Sequence, residues 1–329
     1  MAVILVWACG MGSAWAQVTM GAGQLGLVIN DADPASIAVG DYYRKARGVP
    51  AENVVHVRIP PNKERLELGA FRQMKADIDK ALPPHVQAVL MVWTAPYAVD
   101  CNSITAAYTL GYDAAQCAKT CGQGRVNPYF NSPAKSPSAA GLRLSMLLPA
   151  NSVESAKALI DRGIAADRKA GPASAYFLTT SEKTRNSRAH LFPPAGRIAA
   201  KKLTIKRLSS DALENASDIM FYQTGLARVN KIETNKFLPG ALADHMTSLG
   251  GDLLGNGQMS ALRWLEAGAT ASYGTVTEPC NYWQKFPHPT VLMRHYALGA
   301  TAIEAYWKSV AWPAQGLFIG EPLAAPYKR

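Results

Sequence analysis

Short apolar runs alternate with longer amphipathic segments in the first part of this sequence, and that alternation restricts the fold more than any other feature. Strand-like and helical patterns take turns along the chain, at 25–30, 34–47, 54–59, 66–82 and 86–93. The first helix has a clear start, because Asp33 can cap it and Pro34 suits its first turn. The sequence therefore predicts an α/β fold with a mainly parallel sheet and helices on both faces.

The same rhythm returns after an irregular stretch. Residues 94–149 are rich in Pro, Ser, Asn and Gly and are too long for an ordinary connection, which predicts an excursion from the sheet. Asn151, with Glu154 three positions on, is typical of a helix start. Further strands are predicted at 175–179, 203–208, 219–222 and 270–273, and helices at 151–168, at 188–201, before His245, at 259–267 and within 289–310. We divide the chain into halves at 17–150 and 151–329.

The first sixteen residues contain no charged side chain and end in the small residues Ala14 and Ala16, as a signal-peptidase site does. We expect a signal peptide at 1–16 and a mature chain that begins at Gln17, the alternative being a short buried strand. No later segment contains the 18 apolar residues that a membrane helix needs. The sequence therefore predicts a soluble exported protein, either periplasmic or extracellular.

Five cysteines are present, and Cys9 would leave with the signal peptide. The remaining Cys101, Cys117, Cys121 and Cys280 would meet an oxidising compartment, which favours disulfides and leaves three pairings open. Because Cys101 and Cys280 each follow a predicted strand, we expect at least one disulfide between Cys280 and the excursion. Zinc is the alternative, although the Cys117–Cys121 spacing is not that of a zinc ribbon. The sequence predicts no metal and no cofactor.

The net charge of +10 favours an anionic environment. Short basic clusters occur at Lys201-Lys202 and Lys206-Arg207. We find no nucleic-acid-binding motif, so for an exported protein the predicted partner is an anionic surface polymer, lipid headgroups or another exported protein. The alternative is that the positive charges lie on a basic surface that contacts only solvent, which explains the same net charge.

Four segments of the later half resemble, in their order, the core segments of gingipain-like cysteine peptidases, which have a caspase-like fold. They are Phe221-Tyr222-Gln223-Thr224-Gly225, Ser248-Leu249-Gly250-Gly251-Asp252, Gly268-Ala269-Thr270-Ala271-Ser272-Tyr273-Gly274 and Gly320-Glu321-Pro322-Leu323. The whole mature chain also resembles an uncharacterised family of exported bacterial proteins from exosortase-carrying, exopolysaccharide-producing genomes. Segments that carry this second resemblance include Asn30-Asp31, Asp41-Tyr42-Tyr43, Thr224-Gly225-Leu226-Ala227-Arg228-Val229, Glu266-Ala267-Gly268-Ala269-Thr270 and Pro287-His288-Pro289.

The resemblance implies the peptidase fold but argues against the peptidase activity. In gingipain-like peptidases a His-Gly pair follows one strand and the nucleophilic Cys ends the next, so that the imidazole can accept the thiol proton. Thr224 stands here at the position of the base, and Ser248 stands at the position of the nucleophile. A threonine is no base near neutral pH, and a serine without a base remains a hydroxyl. We therefore expect a degenerate, non-catalytic relative that binds a partner or polymer.

A rearranged dyad of His245 and Cys280 is the alternative, since the two residues follow the chain order of such enzymes and would make the protein a cysteine-type hydrolase. Against it, His245 lies in a stretch predicted to be helical, and Cys280 has three potential disulfide partners.

The segment 277–289 follows a predicted strand and mixes aromatic, amide, acidic and imidazole groups. Ligands of parallel α/β sheets gather at the carboxyl ends of the strands, which makes this loop the candidate binding surface. Its candidate binding residues are Glu278, Asn281, Tyr282, Trp283 and His288. Aromatic rings on a loop can stack on a sugar or grip a peptide. A packing loop tethered by a disulfide is the alternative interpretation.

Overall fold

The computed structural model describes residues 20–329. The predicted signal peptide at 1–16 and the cleavage position lie outside the described residues. Within the described chain, no helix has the length and apolar character that crossing a bilayer requires.

Strands and helices follow one another through most of the chain. The strands are β1 (Leu25–Asn30), β2 (Val54–Val57), β3 (Ala88–Val92), β4 (Ala98–Val99), β5 (Asn102–Ser103), β6 (Leu144–Leu148), β7 (Ala173–Thr179), β8 (Gly196–Ile198), β9 (Leu203–Ser209), β10 (Ile219–Thr224), β11 (Phe237–His245), β12 (Ala271–Thr275) and β13 (Gly316–Gly320). The helices are α1 (Pro34–Arg47), α2 (Leu68–Ala81), α3 (Ile104–Leu110), α4 (Ala114–Ala118), α5 (Val153–Ala166), α6 (Leu262–Glu266), α7 (Pro289–Ala297) and α8 (Ala302–Ser309).

One 11-stranded sheet forms the centre of the described chain, in the order β2-β1-β3-β6-β13-β12-β11-β10-β7-β9-β8. Strands β1, β2, β3 and β6 pair in parallel, as do β9, β7, β10, β11 and β12. Strand β13 is antiparallel to β12, and the edge strand β8 is antiparallel to β9. The predicted α/β class with a mainly parallel sheet is confirmed, and strands from both halves of the chain belong to the same sheet.

The first crossover shows how local signals produce this arrangement. The Asp33 side chain accepts a hydrogen bond from the backbone N–H of Ala35, and α1 ends at Gly48, whose φ of 67° suits a residue without a Cβ atom. Helix α1 packs on β1 through Gly40 against Ile29, whereas the end of α2 packs against Gly26. Because strand residues alternate between faces, positions 26 and 29 place α1 and α2 on opposite faces of the sheet.

Three sequence-based assignments were wrong. The predicted excursion at 94–149 includes β6, a buried central strand whose apolar run stands at the end of a polar segment. The predicted helix at 188–201 consists of short 3-10 turns and β8, because Pro193 and Pro194 prevent a continuous helix. The predicted helical stretch before His245 is β11, a strand that satisfies its backbone groups between two neighbouring strands.

One disulfide lies within the excursion, and a second joins the excursion to the loop after β12. Cys101 bonds to Cys117 and Cys121 bonds to Cys280, with Cα–Cα distances of 5.3 and 5.2 Å. The predicted tether between Cys280 and the excursion is therefore confirmed. The hydroxyl of Thr277 also donates a hydrogen bond of 2.9 Å to the carbonyl of Cys101, so the two loops meet at one edge of the sheet.

The two disulfides should stabilise the fold to different extents. Replacing Cys121 and Cys280 with Ser removes a link between residues 159 positions apart, which the chain-entropy model values at about 5 kcal/mol. The matched pair, Cys101→Ser with Cys117→Ser, removes a link across 16 positions and should cost about 3 kcal/mol. Urea unfolding of both variants measures these losses. A larger loss from the shorter link would contradict the expectation.

Candidate functional site

The carboxyl ends of β10, β11 and β12 meet at one edge of the sheet. Thr224, the last residue of β10, stands opposite His245, the last residue of β11. The hydroxyl of Thr275, the last residue of β12, donates a hydrogen bond of 2.8 Å to the carbonyl of Ser248. The structure therefore brings Thr224 and Ser248, the two residues that the sequence resemblance assigned to the dyad positions, to the same edge.

Backbone occupies the space beside Thr224. A Cβ atom at Gly225 would overlap the carbonyl group of Arg185, so only glycine admits the 3-10 turn Lys183–Asn186 at this place. The hydroxyl of Thr180 fixes the approach by donating a hydrogen bond of 2.6 Å to the carbonyl of Gly225. The side chain of Thr224 is buried, and its hydroxyl has no hydrogen-bond partner within residues 20–329. Nothing at this position can accept a proton from a nucleophile near neutral pH.

Ser248 lies in a tight turn after β11. The Gln258 side chain holds this turn by accepting hydrogen bonds from the Thr247 hydroxyl at 2.7 Å and from the Leu249 N–H at 2.9 Å. The turn packs on β12 backbone to backbone, and a Cβ atom at Gly274 would overlap it. Ser248 is half-buried, and in the described chain its hydroxyl bonds to no protein group.

A cavity of ≈ 280 Å³ opens at this edge. Its lining residues are Thr184, Arg185, Met246, Thr247, Ser248, Glu278, Cys280, Asn281 and Phe286. We call it the strand-end cavity. Arg185 is fixed at its wall, because its guanidinium pairs with Glu182 and its Nε donates a hydrogen bond of 3.2 Å to the Thr247 hydroxyl. One cation, one carboxylate and three hydroxyls therefore face a single space.

Beneath the cavity lies a fully buried ion pair. Arg188 Nη1 is 2.5 Å from Asp244 Oδ1, and neither side chain is more than 1% exposed. The guanidinium also donates hydrogen bonds to the carbonyls of Pro287 at 3.1 Å and Thr224 at 3.0 Å. Gln223 donates a hydrogen bond of 2.7 Å to the other carboxylate oxygen. Burial raises the pKa of Asp244, although Arg188 opposes that shift.

His245 follows Asp244 on β11 and is enclosed on the opposite face of the strand. The Trp264 indole N–H donates a hydrogen bond of 2.9 Å to Nδ1, so Nε2 carries the proton and donates it to the Met259 carbonyl at 3.1 Å. Burial, with Arg188 adding to it, lowers the pKa of His245 to about 3. Both ring nitrogens are engaged, and the imidazole is neutral at physiological pH.

Cys280 lines the strand-end cavity as half of the disulfide with Cys121, so its sulfur is not a thiolate in this structure. The Glu278 carboxylate accepts a hydrogen bond of 2.7 Å from the Cys280 backbone N–H. The two members of the alternative dyad are thus both occupied by other partners, His245 by Trp264 and Met259.

The other predicted binding residues divide into two groups. Glu278 and Asn281 line the strand-end cavity. Tyr282 is 42% exposed and lies against Trp312, with ring centroids 5.8 Å apart. Trp283 packs edge-on against His288 at 5.6 Å. These rings belong to the packing of the loop rather than to the lining of the cavity.

The segment 277–289, which we call the aromatic loop, has a second anchor to the excursion. The Lys285 ammonium is buried and donates hydrogen bonds to the Gln315 side chain, at 2.8 Å, and to the carbonyl of Thr120. Burial lowers the pKa of Lys285 to about 8. Sequence patterns gave no indication of this contact, because a lysine is rarely fully buried.

Arg185 and Arg188 are the site residues that sequence reasoning missed. Both lie in 181–188, after β7, a strand whose carboxyl end is at the same edge as that of β10. Segment 277–289 was selected because ligands gather at the carboxyl ends of parallel strands. The same tendency applies to 181–188 and could have identified these residues.

No protein-family model matches this sequence, and no curated protein matches it. Among solved structures the chain is similar to the crystal structure of the Arg-specific cysteine proteinase gingipain R, with a TM-score of 0.50 and 12% identity over 92% of this chain and 78% of that chain. A complex of the pro- and mature domains of Porphyromonas gingivalis RgpB has a TM-score of 0.46 and 10% identity over 92% of this chain and 79% of that chain. The first likeness shows the fold alone: the chain has a gingipain-like, caspase-like α/β fold.

Removing one partner of the buried ion pair should destabilise the protein strongly. Arg188→Met leaves Asp244 buried without its counter-charge, and the free energy of unfolding should fall by about 3–5 kcal/mol. The double variant Arg188→Met with Asp244→Leu should lose less, because no uncompensated charge remains. Urea unfolding measures both. Equal losses in the single and double variants would contradict this role of the pair.

The stability of the protein should fall in acid because of His245. Its folded-state pKa of about 3 lies below the ordinary histidine value of 6.5, so the unfolded state binds a proton first as the pH falls. Between pH 6 and pH 4 the His245 contribution to the free energy of unfolding should fall by about 1.4 kcal/mol per pH unit. His245→Gln, which lacks this titration, should show a slope smaller by that amount. Identical slopes in urea unfolding would refute the assignment.

Proposed function

We propose that this chain is an exported, non-catalytic relative of caspase-like peptidases that binds a segment of a partner protein or polymer in the strand-end cavity. The observation that carries the proposal is that Thr224, at the end of β10, and Ser248, in the turn after β11, lie at one edge of the sheet, where the sequence resemblance puts the two dyad positions. The pathway that we propose for it is cell-surface and associated with exopolysaccharide, from the sequence resemblance to exported proteins of exosortase-carrying genomes.

Hydrolysis of a peptide bond needs a nucleophile and a base within hydrogen-bond reach of each other. Thr224 stands at the proposed position of the base and cannot act as one, and the backbone of Arg185 lies against Gly225 beside it. The Glu278 carboxylate is engaged by the N–H of Cys280. The imidazole of His245 and the sulfur of Cys280 are likewise engaged, the first by Trp264 and Met259 and the second by Cys121.

The lining of the strand-end cavity suits recognition of polar groups. Arg185 and Glu278 offer opposite charges, and the hydroxyls of Thr184 and Ser248 can donate or accept hydrogen bonds. The Thr247 hydroxyl already donates to Gln258 and accepts from Arg185. The volume of ≈ 280 Å³ is close to the lower end of small-ligand sites, which occupy about 300–1,000 Å³. The cavity therefore fits one sugar unit or one amino-acid residue of a longer ligand.

A cysteine-type hydrolase is the second candidate, favoured by the position of Cys280 in the cavity wall. That function requires reduction of the Cys121–Cys280 disulfide and release of His245 from Trp264 and Met259. Reducing agent should then switch hydrolysis on, whereas the binding function needs the disulfide intact.

The test combines a binding and a hydrolysis measurement. Wild-type protein and Ser248→Trp, which fills the cavity, are incubated with arrays of immobilised oligosaccharides and peptides. Wild type should bind a subset, and Ser248→Trp should bind that subset at least tenfold more weakly. The control, Val126→Trp, adds the same ring at an exposed position that is not part of the cavity lining and should bind like wild type.

Hydrolysis is then measured on the same peptides, with and without dithiothreitol. The proposal predicts none in either condition. Cleavage that appears with the reductant and disappears in Cys280→Ser would overturn the proposal and establish the hydrolase. Equal array binding by wild type and Ser248→Trp would show that the strand-end cavity is not the binding site.

A further inference from the structure

A second cavity, of ≈ 220 Å³, lies at the opposite edge of the sheet, where β7 and β9 begin. Its lining residues are Arg168, Ala170, Ala200, Lys201, Lys202, Pro326, Tyr327, Lys328 and Arg329. We call it the basic cavity. Because β7, β9 and β10 are parallel, this edge is remote from the strand-end cavity.

The charges of the basic cavity have no acidic partner. None of Arg168, Lys201, Lys202 and Lys328 forms an ion pair within the described part of the chain. The lining includes no Asp or Glu. Cations that are gathered in one concave site, rather than spread over a surface, raise the local concentration of anions.

Burial, followed by the positive charge of Arg168, lowers the pKa of the Lys328 ammonium. Repulsion from Arg168 contributes to that shift, the carboxylates of Asp167 and Glu304 oppose it, and the ammonium also donates a hydrogen bond of 3.4 Å to the carbonyl of Met20. An anion bound among these side chains would relieve that repulsion.

The backbone around the basic cavity is fixed. The N–H of Arg168 donates a hydrogen bond to Ala325, and the N–H of Ala170 donates one to Pro326, each of 3.1 Å. Arg168 and Lys202 have positive φ angles of 59° and 50° although neither is glycine. Such conformations are costly, persist only where the surrounding structure imposes them, and cluster at functional sites.

A neighbouring cavity of ≈ 310 Å³ shares Arg168 and Lys328 with the basic cavity. The acidic side chain in that neighbour, Asp167, is already paired with Arg47. A ligand held by the shared cations can therefore extend from one cavity into the other without meeting a free carboxylate.

We propose that the basic cavity binds a phosphoryl group carried by a larger ligand. Several unneutralised cations match a dianion better than a single carboxylate does. Three of the five cationic side chains in the lining are lysines, whose ammonium groups bind phosphate as point charges, whereas planar carboxylates are matched by the fork of arginine. The ligand class is a phosphate ester or polyphosphate, whether soluble, attached to a polymer, or the headgroup of a lipid. This inference is independent of the proposed function at the strand-end cavity.

The test uses titration calorimetry of the full chain with sodium tripolyphosphate at about 150 mM salt, where distant charges are screened. Wild type should bind, and Lys201→Gln with Lys202→Gln should weaken the affinity at least tenfold. The matched control is Lys206→Gln with Arg207→Gln, an adjacent basic pair on β9 that removes the same net charge and should change the affinity less than twofold. Ser248→Trp should bind tripolyphosphate like wild type.

Equal weakening in the two double variants would show a general attraction of the basic surface and overturn the site. Citrate binding as tight as tripolyphosphate binding would overturn the preference for a phosphoryl group.

Vesicles of phosphatidylglycerol and of phosphatidylcholine identify the source of the phosphoryl group. Retention on phosphatidylglycerol alone, lost in Lys201→Gln with Lys202→Gln, assigns the group to a lipid headgroup. Binding of tripolyphosphate without vesicle binding assigns it to a soluble or polymeric phosphate, and binding of neither overturns the proposal.

Discussion

The buried guanidinium of Arg188 holds the functional edge of the sheet together. It joins the ends of β10 and β11 through the carbonyl of Thr224 and the carboxylate of Asp244, and it joins both to the aromatic loop through Pro287. A charge buried to this extent is tolerated only with a counter-charge and satisfied hydrogen bonds. The strand-end cavity therefore depends on an ion pair that takes no part in lining it.

Cys280 and His245 also hold this edge of the sheet together. Cys280 fixes the aromatic loop to the excursion, and His245 fixes β11 to Trp264 and the Met259 backbone. Groups that could serve as nucleophile or base on another scaffold hold elements in place here. Rigid placement lowers the entropy that a binding site must lose on association, which accords with a role in recognition.

Local sequence signals predicted the first crossover well, because Asp33, Pro34 and Gly48 each act within one turn of helix α1. They failed for β11, whose strand conformation is imposed by the strands on either side, and for β6, a five-residue strand that contains Ser145 and follows a polar segment. In these places tertiary packing overrode local preference. The tether of Cys280 was predictable from strand ends, whereas the contacts of Arg185 and Arg188 depend on how a 3-10 turn folds over Gly225.

The most direct test of the central account is the state of Cys280 in the folded protein. Folded protein is alkylated with iodoacetamide without reductant and digested, and its peptides are mapped under non-reducing conditions. The account predicts linked peptides for Cys121–Cys280 and for Cys101–Cys117, with no alkylated cysteine in the described chain. Recovery of Cys280 as an alkylated thiol would contradict this structure of the site and favour the cysteine-type hydrolase.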